Sequence, residues 1–322
     1  MKKLNIVLLD RATFSRSVAI PEPSFPHNFT SYDYCTIQER VSRLKGVQAV
    51  LTNKVPIDEA LLSQCPELEY VGVAATGYNI IDLDACRAHG VAVTNVKAYS
   101  TDGVAEHVFM FILALRKQLK AYQQSLVAGT WSKAKQFTYF HEPIENLKGT
   151  RLGLIGTGAI AQAVAKLASA FGMDVLWHSP SGRQELNGHL CLPLVELLQQ
   201  SDIVSLHCPL TAKTENLIDH AALALMKPSA LLINTARGPV VDSLALADAL
   251  RNGTIAGAGI DVLPIEPPAE EEPLLACLDL PNLLMTAHTA WASKQSQEAL
   301  LAQLMQNLEL YVAGEALDNL AV

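Results

Sequence analysis

The sequence predicts an α/β protein with two units of parallel sheet, each flanked by helices. Three observations predict it. Short apolar runs of strand length alternate with helical stretches along most of the chain. The run Leu152–Ile155 passes directly into Gly156-Thr157-Gly158-Ala159-Ile160-Ala161 and a helix-forming stretch to Phe171. Half of the 322 residues are hydrophobic and only 17% are charged, enough apolar material for two packed cores.

Taken in order, Asn5–Leu9 reads as a strand and Thr13–Thr30, rich in Pro, Ser and Phe, as a loop with at most a short helix. Val47–Leu51, Tyr70–Ala74 and Val91–Asn95 are further strands, with helices at Pro56–Ser63 and Ile81–Ala88. Ser100-Thr101-Asp102 offers N-cap candidates for one long helix through Ala105, Leu113 and Leu126 that Gly129 stops. Trp131–Glu145 is irregular and aromatic, suited to covering a site or meeting a second subunit. The second unit contributes strands at Leu152–Ile155, Val175–Ser179, Ile203–His207, Leu231–Thr235, Gly259–Leu263 and Leu283–Thr286. Helices include Ala159–Phe171, Leu192–Gln200 and Asp242–Asn252, the last stopped by Gly253. A final helix, Lys294–Val312, ends at Gly314 and is expected to return to the first unit. The expected division is 1–99 plus 291–322 as a substrate-binding domain and 100–290 as a dinucleotide-binding domain. Both are Rossmann-like or flavodoxin-like, with a cleft between them.

The formal net charge of −8 and the lack of a Lys/Arg run argue against a nucleic-acid partner. The six cysteines (Cys35, Cys65, Cys86, Cys191, Cys208, Cys277) show no C-x-x-C spacing. They read as reduced thiols of a cytoplasmic protein, not a disulfide frame or a metal site. Asp10 and Arg11 end the apolar run Ile6–Leu9 too early for a signal peptide, and Val108–Leu115 is too short for a membrane span.

The chemistry concentrates where strands end. In G-x-G-x-x-A the first glycine permits a tight turn, the second admits a pyrophosphate to the backbone, and the small third residue lets helix and strand pack closely. Ligands of open α/β sheets bind beyond the carboxyl ends of the strands, which selects His207, Cys208, Arg237, Asp261, Glu266 and His288. Singly, each reads more readily as a structural or solvated side chain than as a functional one. Together, a guanidinium, a carboxylate and an imidazole at one sheet edge are what a 2-oxo acid reductase needs. Arg clamps the carboxylate and carbonyl with its fork, His supplies the alcohol proton, and the carboxylate favours the imidazolium and orients the ring.

Over nearly its whole length the chain resembles the D-isomer-specific 2-hydroxyacid dehydrogenase family, most of all its glycerate dehydrogenase/hydroxypyruvate reductase branch. The matching stretches are Val73–Asn79, Thr94–Asn95, Tyr99–His107, Gly153–Ile160, Asp202–Thr211, Leu232–Asp242, Gly257–Pro268 and Pro281–Ala290. The resemblance implies that Arg237 clamps the substrate, that His288 is the acid/base and that Glu266 pairs with it. It implies that Ala74, Ala75 and Gly77 hold the substrate carboxylate through backbone N–H groups, and that Asp261 lies near the nicotinamide carboxamide. Thr101, Gly156, Gly158, Ala159, Ile160, His207, Cys208, Pro209, Thr214, Thr235, Ala236 and His288 would line the cofactor. The long helix and the aromatic segment would lie at a homodimer interface.

One departure bears on the cofactor. An NAD-specific fold wants an acid about 20 residues beyond the glycines. Here Ser179 stands in that place, no acid appears before Glu185, and Arg183 is close. The expectation is therefore NADP(H) use at least as good as NAD(H), with Ser179 and Arg183 beside the 2′-phosphate. Other dehydrogenases of the family, acting on phosphoglycerate or lactate, and a nucleotide-sensing corepressor-like protein remain alternative readings. An end at Val322 without a regulatory extension fits the simpler members.

Overall fold

Strands buried on both faces need no polar alternation, and the apolar runs of this chain become parallel strands covered by helices. The structure, a computed structural model, describes residues 3–140, 143–186, 188–317 and 319–321. It divides into two compact units, Met1–Ser100 with Ala292–Val322, and Thr101–Trp291.

In the first unit β1 (Leu4–Leu8), β2 (His27–Ser31), β3 (Ala49–Thr52), β4 (Tyr70–Val73) and β5 (Ala92–Thr94) form a parallel sheet of order β2-β1-β3-β4-β5. Helices α1 (Arg40–Leu44), α2 (Glu59–Leu62) and α3 (Leu83–His89) connect them. Asp58 and Asp82 cap α2 and α3 by accepting the N–H groups of Leu61 and Ala85. The expected loop Thr13–Thr30 runs into β2, whose His-Asn-Phe-Thr-Ser sequence carries no apolar pattern. An edge strand pairs on one side only and stays exposed, so polarity there is no obstacle. Helix α1 was also not anticipated.

The second unit opens with α4 (Thr101–Arg116) and α5 (Leu119–Val127). It continues through β6 (Arg151–Ile155), α6 (Ala159–Ala170), β7 (Asp174–His178), β8 (Glu185–Leu186), β9 (His189–Leu190), α7 (Leu194–Gln200) and β10 (Ile203–Leu206). Then follow α8 (His220–Leu225), β11 (Leu231–Asn234), α9 (Ser243–Asn252), β12 (Gly257–Ile260) and β13 (Leu283–Met285). The six expected strands form one parallel sheet of order β13-β12-β11-β10-β6-β7, while β8 and β9 make a small antiparallel pair of their own. Consecutive residues alternate between two cores: Val204, Leu206 and Leu232 face one, Ile203, Leu231 and Ile233 the other. The chain then enters α10 (Lys294–Ala313) of the first unit, which packs on β4 and sets the Tyr311 ring against that of Tyr70 at a tilt of 35°, centroids 4.8 Å apart.

The single long helix expected from 100 to 129 is two. Gln118 sits at φ 53, in the left-handed region, and separates α4 from α5. Tertiary bonds reward the break. Arg116, buried, pairs with Glu145, and Lys117 Nζ donates to the carbonyl of Glu145 and to Asn146 Oδ1. In the redirected helix, Lys120 Nζ donates to the carbonyls of Leu278, Leu280 and Leu283 at 2.6, 2.7 and 3.1 Å. Of the aromatic segment that follows, His141 and Glu142 lie outside the described residues, and Phe137 and Phe140 are exposed.

No helix among the described residues is long and apolar enough to cross a membrane. The six cysteines are unpaired; Cys35 and Cys191 are half-buried and the others buried.

Lys120→Met removes charged donors from three carbonyls and keeps the stem. It should lower unfolding free energy by about 2 kcal/mol, read by urea denaturation.

Candidate active site

Strands in register end at one level, so the loops that leave their carboxyl ends share one edge. Asn234 of β11 pairs with Ile260 of β12, and Ile260 with Met285 of β13. Arg237, Glu266 and His288 follow these three neighbouring strands in turn.

His288 Nδ1 meets Glu266 Oε2 at 2.6 Å, and both side chains are about one-third exposed. The other carboxylate oxygen, Oε1, accepts the Leu263 N–H at 2.9 Å, so Glu266 is aimed by its own loop. His288 has φ 52. For a residue with a Cβ this conformation costs about 1–2 kcal/mol and persists only where the surroundings enforce it. Asp261 enforces it. Its carbonyl accepts the His288 N–H at 2.7 Å, Oδ1 accepts the Thr286 hydroxyl and the Thr289 N–H, and Oδ2 accepts the Ala290 N–H. Asp261 is 2% exposed. His107 of α4 completes the group, its Nε2 3.0 Å from Thr286 Oγ1 and 3.8 Å from Asp261 Oδ1. Burial pulls the His107 pKa below the usual imidazole range, opposed by the Asp261 charge.

Asn234, buried as the last residue of β11, shapes the turn that presents Arg237. Its Oδ1 accepts the Ala236 N–H and its Nδ2 donates to the Arg237 carbonyl. A Cβ on Gly238 would lie 2.0 Å from the Leu263 carbonyl carbon, so this turn touches the loop that carries Glu266. The Arg237 side chain is exposed, with Nη1 on the Ala236 carbonyl at 2.7 Å.

The glycine turn fits a pyrophosphate. Gly156 has φ 115, and a Cβ there would stand 2.4 Å from the His207 carbonyl oxygen at the end of β10. Helix α6 begins at Ala159 and Ile160 from Gly158, with no side-chain cap, whereas α2, α3, α8, α9 and α10 are capped by Asp58, Asp82, Asp219, Asp242 and Ser293. Its first-turn N–H groups therefore suit an anion. Beyond β11, Thr235 Oγ1 is buried without a hydrogen-bond partner among the described residues, a donor and acceptor suited to a polar ligand. At the end of β7, Ser179 is buried; its hydroxyl meets Ser181 Oγ at 3.0 Å and accepts the Arg183 N–H at 3.2 Å. Arg183 is exposed.

Other residues of the expected set lie just past β10 and at the start of α4. His207 Nε2 is 2.9 Å from Ser205 Oγ, and desolvation pushes its pKa down to about 3, so the ring is neutral. Burial raises the Cys208 thiol to about 11. Thr214 is buried and donates to the Pro209 carbonyl at 2.6 Å. Thr101 starts α4. In the first unit Ala74 drops out of the expected donor set, because its N–H is engaged by the Thr52 carbonyl at 2.8 Å. Ala75 and Gly77 lie beyond it, in a loop pinned by Val96 N–H on the Ala75 carbonyl and Asn95 Nδ2 on that of Thr76. Sequence reasoning missed Asn234, His107 and Thr286. Only Asn234 left a trace, as a polar residue closing an apolar run.

A family model for the NAD binding domain of the D-isomer specific 2-hydroxyacid dehydrogenases matches residues 109–290. The chain is 43% identical over 311 residues to a glycerate dehydrogenase of Methylorubrum extorquens, covering 96% of each. Among solved structures it is similar to the D-lactate dehydrogenase of Aquifex aeolicus complexed with NAD and lactic acid, at a TM-score of 0.81 and 30% identity over 98% of this chain and 99% of that one. It is also similar to an acyclic imino acid reductase in complex with NADPH and D-Arg, at a TM-score of 0.83 and 29% identity over 99% of this chain and all of that one. The chain belongs to the D-isomer specific 2-hydroxyacid dehydrogenase family, an NAD(P)-dependent enzyme that interconverts 2-oxo and 2-hydroxy acids.

Proposed function

We propose that this enzyme reduces hydroxypyruvate to the D-2-hydroxy acid, and the smaller glyoxylate to achiral glycolate, using NADPH at least as well as NADH. The His288–Glu266 pair at 2.6 Å, beside the Arg237 turn, carries the reading. The glycerate dehydrogenase relative supports the substrate, since hydroxypyruvate is glycerate oxidised at carbon 2.

A reduced nicotinamide, when bound, would supply the hydride. His288 gives the proton from Nε2 to the carbonyl oxygen, while Glu266 holds Nδ1 and favours the charged ring. Arg237 pairs with the substrate carboxylate and stabilises the oxygen as negative charge grows there. The first unit is taken as the substrate-binding domain, through the backbone N–H groups of Ala75 and Gly77. Gly156, Gly158, Ala159 and Ile160 hold the pyrophosphate, and Thr235, Ala236 and Asp261 lie toward the nicotinamide. Pro209, Thr214, His207 and Cys208 wall the nucleotide side, with Thr101 at the start of α4.

The end of β7 supports NADPH. With Ser179 in place of an acid, nothing there repels a 2′-phosphate, and Arg183 can pair with it. A second copy of the chain covers Met110, Leu119, Leu126, Val127, Trp131 and Phe137, all exposed and apolar, making a homodimer. The unpaired thiols suit the cytoplasm.

Nicotinamide absorbance should fall with hydroxypyruvate and with glyoxylate; no consumption with either, or with pyruvate, sinks the reading. His288→Ala should lower kcat by about 10²–10⁴ with little change in KM. Arg237→Ala should raise KM and also lower kcat, by on the order of 10²–10³. Arg183→Ala should cut kcat/KM for NADPH about tenfold and leave that for NADH unchanged; an equal loss with both cofactors removes Arg183 from the 2′-phosphate. Sedimentation equilibrium at micromolar chain should give the mass of a dimer.

A further inference from the structure

The geometry points to His107 as a positioning residue for the reaction, acting through Thr286 and Asp261 to hold His288 in its left-handed turn. It rests on the reading of His288 as the proton donor.

The hydrogen-bond roles are set by chemistry. Asp261 Oδ1 is a carboxylate oxygen and can only accept, so the Thr286 hydroxyl donates its one proton there. Thr286 Oγ1 is then an acceptor toward His107 Nε2, 3.0 Å away, and His107 must carry its proton on Nε2. Burial pulls the pKa of that ring down, and the proton on Nε2 follows from the Thr286 contact whatever Nδ1 carries. His107 is itself rigid. Its ring stands edge-on to Phe111, one helical turn on, with centroids 4.9 Å apart, and Phe111 is buried with Leu231 and Ile233 of β11. The series His107, Thr286, Asp261 thus carries the fixed position of α4 to the 286–290 loop. Without the His107 donor, Thr286 can rotate, and the Asp261 carboxylate that clamps Thr289 and Ala290 loses a fixed neighbour on Oδ1. The backbone between them is that of His288, which does not hold φ 52 unaided. None of these three groups need touch the substrate.

The test uses the full-length holoenzyme, hydroxypyruvate and the better of the two cofactors. His107→Phe and Thr286→Val should each lower kcat about ten- to a hundredfold, with the KM for cofactor little changed. His107→Gln, which keeps an N–H donor near the Nε2 position, should recover most of the loss. The double variant His107→Phe/Thr286→Val should be no slower than the slower single, because both break one series. Normal kcat in a folded His107→Phe protein overturns the inference, as does an additive double variant or a His107→Gln protein as slow as His107→Phe. Should His107→Phe fail to fold by circular dichroism, the near-isosteric Thr286→Val carries the test, and its normal kcat overturns the inference. His288→Asn separates the two ideas. If it turns over normally, the proton-donor reading falls. If it is slow while Thr286→Val is normal, only the positioning of His288 by this series falls.

Discussion

A carboxylate taken out of water costs several kcal/mol unless donors answer its charge. Asp261 is such a group, and the answer it receives organises the loop that follows β13. A hydroxyl from Thr286 and two backbone N–H groups, from Thr289 and Ala290, converge on its two oxygens, while its own carbonyl takes the His288 N–H. Four of the five residues from Thr286 to Ala290 are tied to one side chain and its backbone. The backbone strain at His288 and the short contact with Glu266 both follow from that clamp.

The same device recurs along the sheet edge. Apolar strands run through the core and carry a buried polar residue within one position of their last. Asn234 closes β11 and folds the turn before Arg237. Asp261 follows β12 and anchors the loop of His288. Ser205, within β10, holds the His207 ring. A polar group in such a place must find partners, which Asn234 takes from the turn leaving its own strand and Asp261 from the loop leaving the neighbouring one. Satisfying buried polarity and shaping the reactive edge are one process here.

What could be read in advance follows the same physics. Strands such as Ile203–Leu206 and Leu231–Asn234 are buried on both faces, so they stand out as apolar runs. Gly253 and Gly314 take the left-handed conformation expected of helix stops, with φ 68 and 70. β2 was illegible because pairing at an exposed edge does not select apolar residues. The break at Gln118 was illegible because Lys120 finds its three carbonyls from a segment 158 or more residues away. Arg237, Glu266 and His288 could be picked out by their place after three apolar runs. His107 could not, since its partner lies 179 residues on, and nothing in the spacing of α4 says which strand end it meets. The apolar run Tyr70–Ala74 ends the strand about where the structure does, but only the pairing with Thr52 shows that the Ala74 N–H is already engaged.

Helix α6 starts from a glycine and has no side chain to close its first turn, unlike five other helices of the chain. A nucleotide phosphate seated there does for this helix what an aspartate does elsewhere. Folding and loading are then linked by mass action, and the native state gains stability with each rise in free nucleotide. An enzyme loaded in this way would resist unfolding longer at high free nucleotide than at low.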